Sequence, residues 1–321
     1  MRLTPRSTGL APTDAEFAAL LAVPPGRRGL VLRNSRRCFA LVEGLAAHCF
    51  SLRFRSLPEM LSAGRLAAEV AEELTPAQAR RAAGEMAELR AHASAVYGNA
   101  LRVAGDLPAA ERTLTAAERH LRAGTGERRE LEPLLLELIA SLREAQEEYA
   151  EAHRLLARAA DIRGELGDRE GLGKVRIQQG IVFGSMGSPD RAVVVLVEAI
   201  NLVERDRDLA RSAFHSLAWY LVEAYRPERA RAVLEQARNL LAEGDELIQL
   251  KAQWLEAKLA AAFQETAETA RRHYEEARRG YTERGMHQEA AFISLDLKLL
   301  ETTRPRHGTG FLDDLLPWLE P

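Results

Sequence analysis

The chain has 321 residues, of which 46% are hydrophobic and 28% are charged, a balance typical of folded proteins and not of disordered ones. Its net charge of −3 provides no overall positive field, which argues against nucleic acid or a membrane surface as the partner. No apolar run reaches the roughly 18 residues of a membrane span. The length favours two domains or one repeat array, and the abundance of Ala and Leu with few aromatic residues predicts an all-α fold.

Residues 1–34 are predicted to form an irregular N-terminal arm, with one short helix over Thr13–Ala22. The arm is interrupted by prolines at Pro5, Pro12, Pro24 and Pro25. The segment Gly26–Arg37 is rich in arginine and contains no acidic residue. Such a segment is either a solvated flank or an arm that binds nucleic acid or an acidic partner.

Two cysteines, Cys38 and Cys49, fall on one face of a predicted helix. Their spacing matches neither a disulfide framework nor a CxxC motif, so we expect two buried thiols in a reducing, cytoplasmic setting. The nearby stretch Ser35–Leu41 resembles a twin-arginine export signal, but Glu43 and His48 interrupt the apolar region that should follow. We interpret this match as a coincidence.

Paired helices are predicted from Phe39 onwards. The first pair covers Phe39–Phe50 and Pro58–Leu74, and Pro76 is expected to open a long helix that reaches Arg102 or Val103. Turns inside the later pairs are predicted at Gly105-Asp106, Glu147-Glu148, Gly187-Ser188, Arg226-Pro227 and Gln264-Glu265. Turns between pairs are predicted at Gly124–Gly126, Gly167-Asp168, Asp206–Asp208, Gly244-Asp245 and Gly285. Both series advance by about 40 residues, which indicates a helical repeat.

The second helix of each pair carries a small, a large and a small residue on one face. This pattern occurs at Ala110, Leu114 and Ala117; Ala152, Leu156 and Ala159; Ala192, Leu196 and Ala199; Ala230, Leu234 and Ala237; and Ala270, Tyr274 and Ala277. The first helices supply small and large residues that match this face, namely Gly98 with Leu101, Ala140, Gly180 with Phe183, and Ala218 with Leu221. Small side chains allow two helices to approach closely, so each pair is predicted to be a helix hairpin.

These sites resemble the tetratricopeptide repeat (TPR) over about Leu89–Leu300. The step length resembles the longer, kinesin-light-chain-like bacterial variant, and Glu165–Arg169 is similar to its linker. Ser94, Leu136 and Arg176 depart from the family, which often places an aromatic residue there. The resemblance implies an α-α superhelix (TPR solenoid) of about five to six hairpins over residues 35–304, whose first helices line a concave groove.

The C-terminal segment, residues 305–321, contains the amphipathic stretch Phe311–Leu319. A terminal repeat exposes an apolar edge, so this segment is predicted to cap the array. The alternative is a tethered peptide that occupies the groove of its own chain.

The groove implied by the resemblance supplies the candidate binding residues. Its polar lining is predicted to include His92, Glu137 and Glu144, and a fifth unit is expected to add Leu255 and Leu259. A bound peptide needs amide partners, a cation for a carboxylate, and an apolar anchor. The residues expected to supply these are Asn99, Arg102, Ser141, Lys174, Gln178, His215 and Trp219, although a plain hydrated wall is the alternative for each.

Catalytic and metal-binding motifs are missing from the sequence, so neither an enzyme nor a cofactor is expected. We therefore predict a non-enzymatic protein-protein interaction module, an adaptor or scaffold that binds a peptide or partner protein in the groove. The alternative is a peptide- or partner-sensing regulatory subunit of a bacterial transcription or effector system. The sequence leaves the oligomeric state open.

Overall fold

The computed structural model of the chain describes residues 19–20, 22–23, 38–52, 56–244, 246–263 and 267–302. Within these ranges the chain forms fourteen helices and no strand. The predicted all-α fold is thereby confirmed for these residues. The N-terminal arm with its basic segment Gly26–Arg37, and the C-terminal segment 305–321, lie almost entirely outside the described residues, so their predicted boundaries and roles stay predictions.

The helices of the N-terminal half are α1 (Cys38–Ser51), α2 (Leu57–Glu73), α3 (Pro76–Ala79), α4 (Ala83–Val103), α5 (Leu107–Arg122), α6 (Leu131–Ala145) and α7 (Tyr149–Glu165). Those of the C-terminal half are α8 (Arg169–Ser185), α9 (Pro189–Val203), α10 (Arg207–Glu223), α11 (Pro227–Ala242), α12 (Glu246–Ala262), α13 (Ala267–Glu283) and α14 (His287–Thr302). First helices are even-numbered from α4 onwards, and each except α14, the last described helix, is followed by its odd-numbered second helix.

The chain divides into two compact units, Met1–Ser216 (unit 1) and Leu217–Pro321 (unit 2). One core of unit 1 joins α1, α2 and α4, and Leu20 of the predicted arm helix is buried in it. A second core of unit 1 extends from α4 to α8. In unit 2, a core joins α12, α13 and α14.

Helix ends repeat one turn geometry. Gly105, Gly167, Gly187 and Gly285 all adopt a positive φ of 63–82°, the left-handed conformation that ends helices and that glycine adopts without strain. After Gly105 and Gly167 the next residue is an aspartate that caps the following helix, and the Asp168 carboxylate accepts a hydrogen bond from the Gly171 amide at 2.9 Å. The predicted turns at these glycines are confirmed, whereas Asp245 and the turn at 264–265 lie outside the described residues.

Inside each hairpin, large side chains of the second helix fill the space above small residues of the first. All but one of the fifteen predicted seam residues on the second helices are buried, the exception being the half-buried Leu234. A Cβ atom added to Gly180 would lie 2.6 Å from Cγ of Leu196, and one added to Gly98 would lie 2.8 Å from Cγ of Leu114. Glycine is therefore required at these two positions, because a larger residue would collide with the leucine of the second helix. The small residues of the repeat pattern thus mark the places where the two helices lie closest together.

The long helix expected from Pro76 to Val103 is wrong at its beginning. Pro76 opens only a single helical turn, which ends where Arg80 adopts a left-handed φ of 53°. The turn is held at its start by a reciprocal capping interaction between Thr75 and Gln78. The chain then re-enters a helix at Ala83, where the Glu85 carboxylate accepts from the Ala82 amide.

Both cysteines are buried on α1 as free thiols, as the sequence predicts. Burial raises the pKa of Cys49 to about 12, so this thiol stays protonated at neutral pH and is unreactive. The Cys49 thiol lies 3.3 Å from the carbonyl oxygen of Met60 on α2. Its role is thus to pack the first hairpin.

Candidate binding surface

Three first helices, α4, α6 and α8, form the first-helix face of unit 1. On α4, Nε and Nη2 of Arg102 donate hydrogen bonds to Oδ1 of Asn99 at 3.2 and 3.1 Å. Burial raises the pKa of Glu144 on α6, whereas the positive charge of Arg102 and a hydrogen bond from Ser185 on α8 oppose the shift. Asn99 itself is only 4% exposed, so Arg102 and Glu144 form the accessible part of this edge.

Ser141 on α6 and Gln178 on α8 are joined across the same face. The Ser141 hydroxyl donates to the carbonyl oxygen of Glu137 at 3.1 Å, and Nε2 of Gln178 donates to Oγ of Ser141 at 3.3 Å. Because the hydroxyl proton is already used, Ser141 can only accept from Gln178, which fixes the orientation of the amide. Oε1 of Gln178 is then buried without a hydrogen-bond partner among the described residues.

A buried charge cluster lies beneath this face. The Glu137 side chain is fully buried, and its Oε1 accepts from Nη2 of Arg163 on α7 at 2.7 Å. Nζ of Lys174 on α8 lies 2.7 Å from Oε2 as an ion pair outside hydrogen-bond geometry. Lys174 also lies 5.5 Å from the ring centroid of Phe50 on α1. The cation predicted to hold a ligand carboxylate is therefore already paired within the fold.

His92 is a second buried polar residue of α4. Its imidazole is enclosed by apolar side chains that include Leu121, Leu131 and Leu135, and Nδ1 has no partner among the described residues. Burial, with a smaller contribution from the charge of Arg128, lowers the pKa of His92 from 6.5 to about 3. His92 is thus a neutral core residue and does not line the groove.

This histidine should make the fold sensitive to acid. As the pH falls below about 6.5, the unfolded chain binds a proton at His92 that the folded chain excludes until about pH 3. The contribution of neutral His92 to the free energy of unfolding is therefore fully present above the unfolded pKa. It is lost below that pKa, by up to about 1.4 kcal/mol per pH unit. Urea titrations from pH 4 to 8 should show this slope reduced in His92→Gln. Parallel curves for the two proteins at all pH values would contradict it.

In unit 2, an aromatic and charged cluster occupies first helices α10, α12 and α14. The rings of Trp219 and Trp254 meet edge to face with centroids 4.9 Å apart. Nζ of Lys258 lies 4.6 Å from the Trp219 ring centroid, 2.9 Å from Oε1 of Glu223 and 3.7 Å from Oδ2 of Asp296. Nε1 of Trp254 donates to Asp296 at 2.8 Å. These five residues place two indole rings, one cation and two carboxylates on one surface.

The prediction that Leu255 and Leu259 of the fifth repeat line the groove is wrong. Leu255 is fully buried and Leu259 is nearly so, because α12 is rotated by about one residue from the predicted orientation. Trp254 and Lys258 occupy the surface instead. Their spacing of four residues on one helix, with Trp219 one repeat earlier, is the signal that could have identified them. His215, also predicted, is half-buried on α10.

Unit 2 also contains a cleft of about 930 Å³ among α11, α12 and α13. Leu234 lines it, which explains why this seam residue is only half-buried. Its charged lining is mixed, with basic residues Arg231, Arg238, Arg279 and Arg284 facing acidic residues Glu235, Glu246, Glu256, Glu276 and Glu283. The near balance of sign favours no particular ligand charge.

Two further classes of site are missing from the described parts of the chain. No group of three or more His, Cys, Asp or Glu side chains there could hold a metal ion. Among the helices of those same ranges, none combines the length and the apolar character that crossing a membrane requires.

The fold of this chain is similar to that of known helical-repeat proteins. No protein-family model and no curated protein sequence matches the chain. One similar solved structure is BtubC (BKLC) from P. vanneervenii, with a TM-score of 0.50 and 16% sequence identity; the match covers 80% of this chain and 98% of that chain. Another is a Rap protein complexed with Competence and Sporulation Factor, with a TM-score of 0.61 and 13% sequence identity; the match covers 90% of this chain and 79% of that chain. The first is kinesin-light-chain-like, and both are TPR proteins. The described helices therefore share the helical-repeat fold of these two structures, in agreement with the TPR-solenoid fold class that the sequence predicted.

Proposed function

We propose that this chain is a non-enzymatic interaction module that binds an extended peptide or protein segment along the first-helix face of unit 1. The observation that carries the proposal is the buried Oε1 of Gln178, which has no partner in the described structure. An unpaired buried acceptor costs about 1–3 kcal/mol, and buried polar groups are nearly always paired. The N–H of a bound peptide bond would satisfy it.

The charges on these faces specify the kind of partner. Arg102 is held by Asn99 and faces Glu144, and Lys174 is paired with Glu137. Neither cation is therefore available to a ligand carboxylate without losing its present partner. We infer that recognition uses backbone amides and not a terminal carboxylate, so a peptide with an amidated C-terminus should bind as well as the free acid.

We propose the aromatic surface of unit 2 as a second binding surface, argued from that unit alone. Trp219 and Trp254 are half-buried. Lys258 contributes one positive charge against the negative charges of Glu223 and Asp296, which leaves an excess of one carboxylate. Aromatic rings beside a net negative charge favour an apolar or basic side chain in the partner.

A second candidate is a peptide- or partner-sensing regulatory subunit of a bacterial effector or transcription system. The similarity to the Rap protein complexed with Competence and Sporulation Factor favours it. The free buried cysteines support a reducing compartment such as the cytoplasm. In this candidate, binding at the same first helices would change the affinity for a separate effector protein.

A display library of random peptides, selected against the full chain, tests the proposed function directly. We expect saturable binders whose affinity falls about tenfold in Gln178→Met, since one hydrogen bond to a buried acceptor is worth about 1.4 kcal/mol. The matched control is Gln236→Met, which changes an exposed glutamine of α11. Selection without saturable binders, or equal loss in both variants, would refute binding at this face.

A further inference from the structure

The last described helix, α14, has an exposed apolar face. Phe292, Leu295 and Leu299 are 52%, 55% and 52% exposed. The opposite side of the helix is buried, with Ile293 fully enclosed in the core shared with α12 and α13. Three large apolar side chains in one stripe are unusual for a solvated helix face, since scattered single residues are the norm.

The position of this stripe within the repeat indicates its role. Leu295 and Leu299 stand at the same distances after Gly285 as Trp254 and Lys258 stand after Gly244. On α12, those two positions contact Asp296 of the next first helix, at 2.8 and 3.7 Å. The stripe on α14 is thus the side by which a first helix contacts the element that follows it in the array.

We propose that the C-terminal segment Phe311–Leu319 of the same chain covers this stripe. Its sequence, FLDDLLPWL, supplies large apolar residues and a tryptophan. At about 3.3 Å per residue, residues 303–310 can span up to about 26 Å. The 16 residues of α14 are about 24 Å long at 1.5 Å per residue, so the linker is long enough for the segment to return along the whole helix.

Other arrangements of the segment, and another occupant of the stripe, predict different results. A segment that plugged the first-helix face of unit 1 would leave Phe292, Leu295 and Leu299 exposed. A second copy of the chain would cover them only at concentrations where dimers form. Coverage by the chain's own segment is independent of concentration, because the linker holds it close to its site.

Fluorine NMR of the full chain labelled with 5-fluorotryptophan tests the proposal. The three tryptophans are Trp219, Trp254 and Trp318, and Trp318→Phe assigns the resonance of interest. We expect the Trp318 resonance to be displaced from that of free 5-fluorotryptophan and to return to it in Leu295→Glu/Leu299→Glu. The segment variant Leu315→Glu/Leu316→Glu should have the same effect.

The matched control is Val194→Glu/Val197→Glu, which places the same charges on two exposed valines of α9 in unit 1, and circular dichroism confirms that each variant is folded. Three results would overturn the proposal. These are a Trp318 resonance at the free position in the unmodified chain, a displaced resonance that ignores the α14 changes, and a displacement that appears only with dimeric mass in light scattering.

Discussion

Replacing Glu137 with glutamine should cost the fold about 3–5 kcal/mol, the usual penalty for removing one partner from a buried ion pair. The carboxylate is fully enclosed and joins Arg163 of α7 to Lys174 of α8. Without it, the acidic partner left to the Arg163 guanidinium among the described residues is Asp168, 2.7 Å from its Nη1. The measurement is the free energy of unfolding in urea, compared between the two proteins.

The control for this experiment lies on the same two helices. Glu132 and Arg158 form an ion pair between α6 and α7, but their side chains are 42% and 62% exposed. Glu132→Gln should therefore cost less than about 1 kcal/mol. The triple change Glu137→Leu/Arg163→Met/Lys174→Met should recover most of the loss, because apolar side chains of similar size often replace a buried ion pair without penalty. A triple variant as unstable as Glu137→Gln would show that the cluster is itself stabilising.

Gly180→Ala should destabilise the central hairpin by about 1–3 kcal/mol, the range for overpacking a tight core. An exposed helical glycine changed to alanine normally gains up to about 1 kcal/mol. Here the new methyl group would lie 2.6 Å from Cγ of Leu196, so the sign is reversed. Thermal and urea unfolding of the two proteins measure it.

A double-mutant cycle with Leu196→Ala isolates the cause. Leu196→Ala alone should cost about 2–5 kcal/mol through the cavity it leaves. In that background Gly180→Ala should become neutral or stabilising, since the conflicting atoms are gone. Gly164→Ala serves as the control, because a Cβ atom at this exposed position of α7 would have open space around it. A cost for Gly180→Ala that persists in the Leu196→Ala background would mean that the backbone, and not the leucine side chain, limits the space.

The second helices were predictable because each carries one buried seam. In α9 only Ala192, Leu196, Ala199 and Val203 are buried, and a single stripe of this kind is directly visible in a sequence. The turns were predictable for a similar reason, since glycine supplies the positive φ at five of them. Glu147 and Tyr225 adopt the same conformation without being glycine, so the repeat spacing and not residue type indicated those two turns.

The first helices were harder to orient. A first helix such as α6 contacts α4, α5 and α7 and reaches α8 through Ser141 and Gln178. Buried residues then occur on most of its sides, and the helical period no longer singles out one face. This is why Leu255 was expected where Trp254 and Lys258 lie. The break at Arg80 was hidden because arginine rarely adopts a left-handed conformation.

The position of α1 in unit 1 affects how that unit unfolds. Phe50 lies 5.5 Å (ring centroid to Nζ) from Lys174 on α8, and Glu43 is 2.9 Å from Arg128 in the connection before α6. An ideal solenoid has interactions only between adjacent repeats, so its ends can fray one repeat at a time. These contacts join residues that are far apart in the chain, and they raise the contact order of unit 1. Opening the N-terminal hairpin must break them, so unit 1 should fold and unfold more cooperatively, and more slowly, than a linear array of the same length.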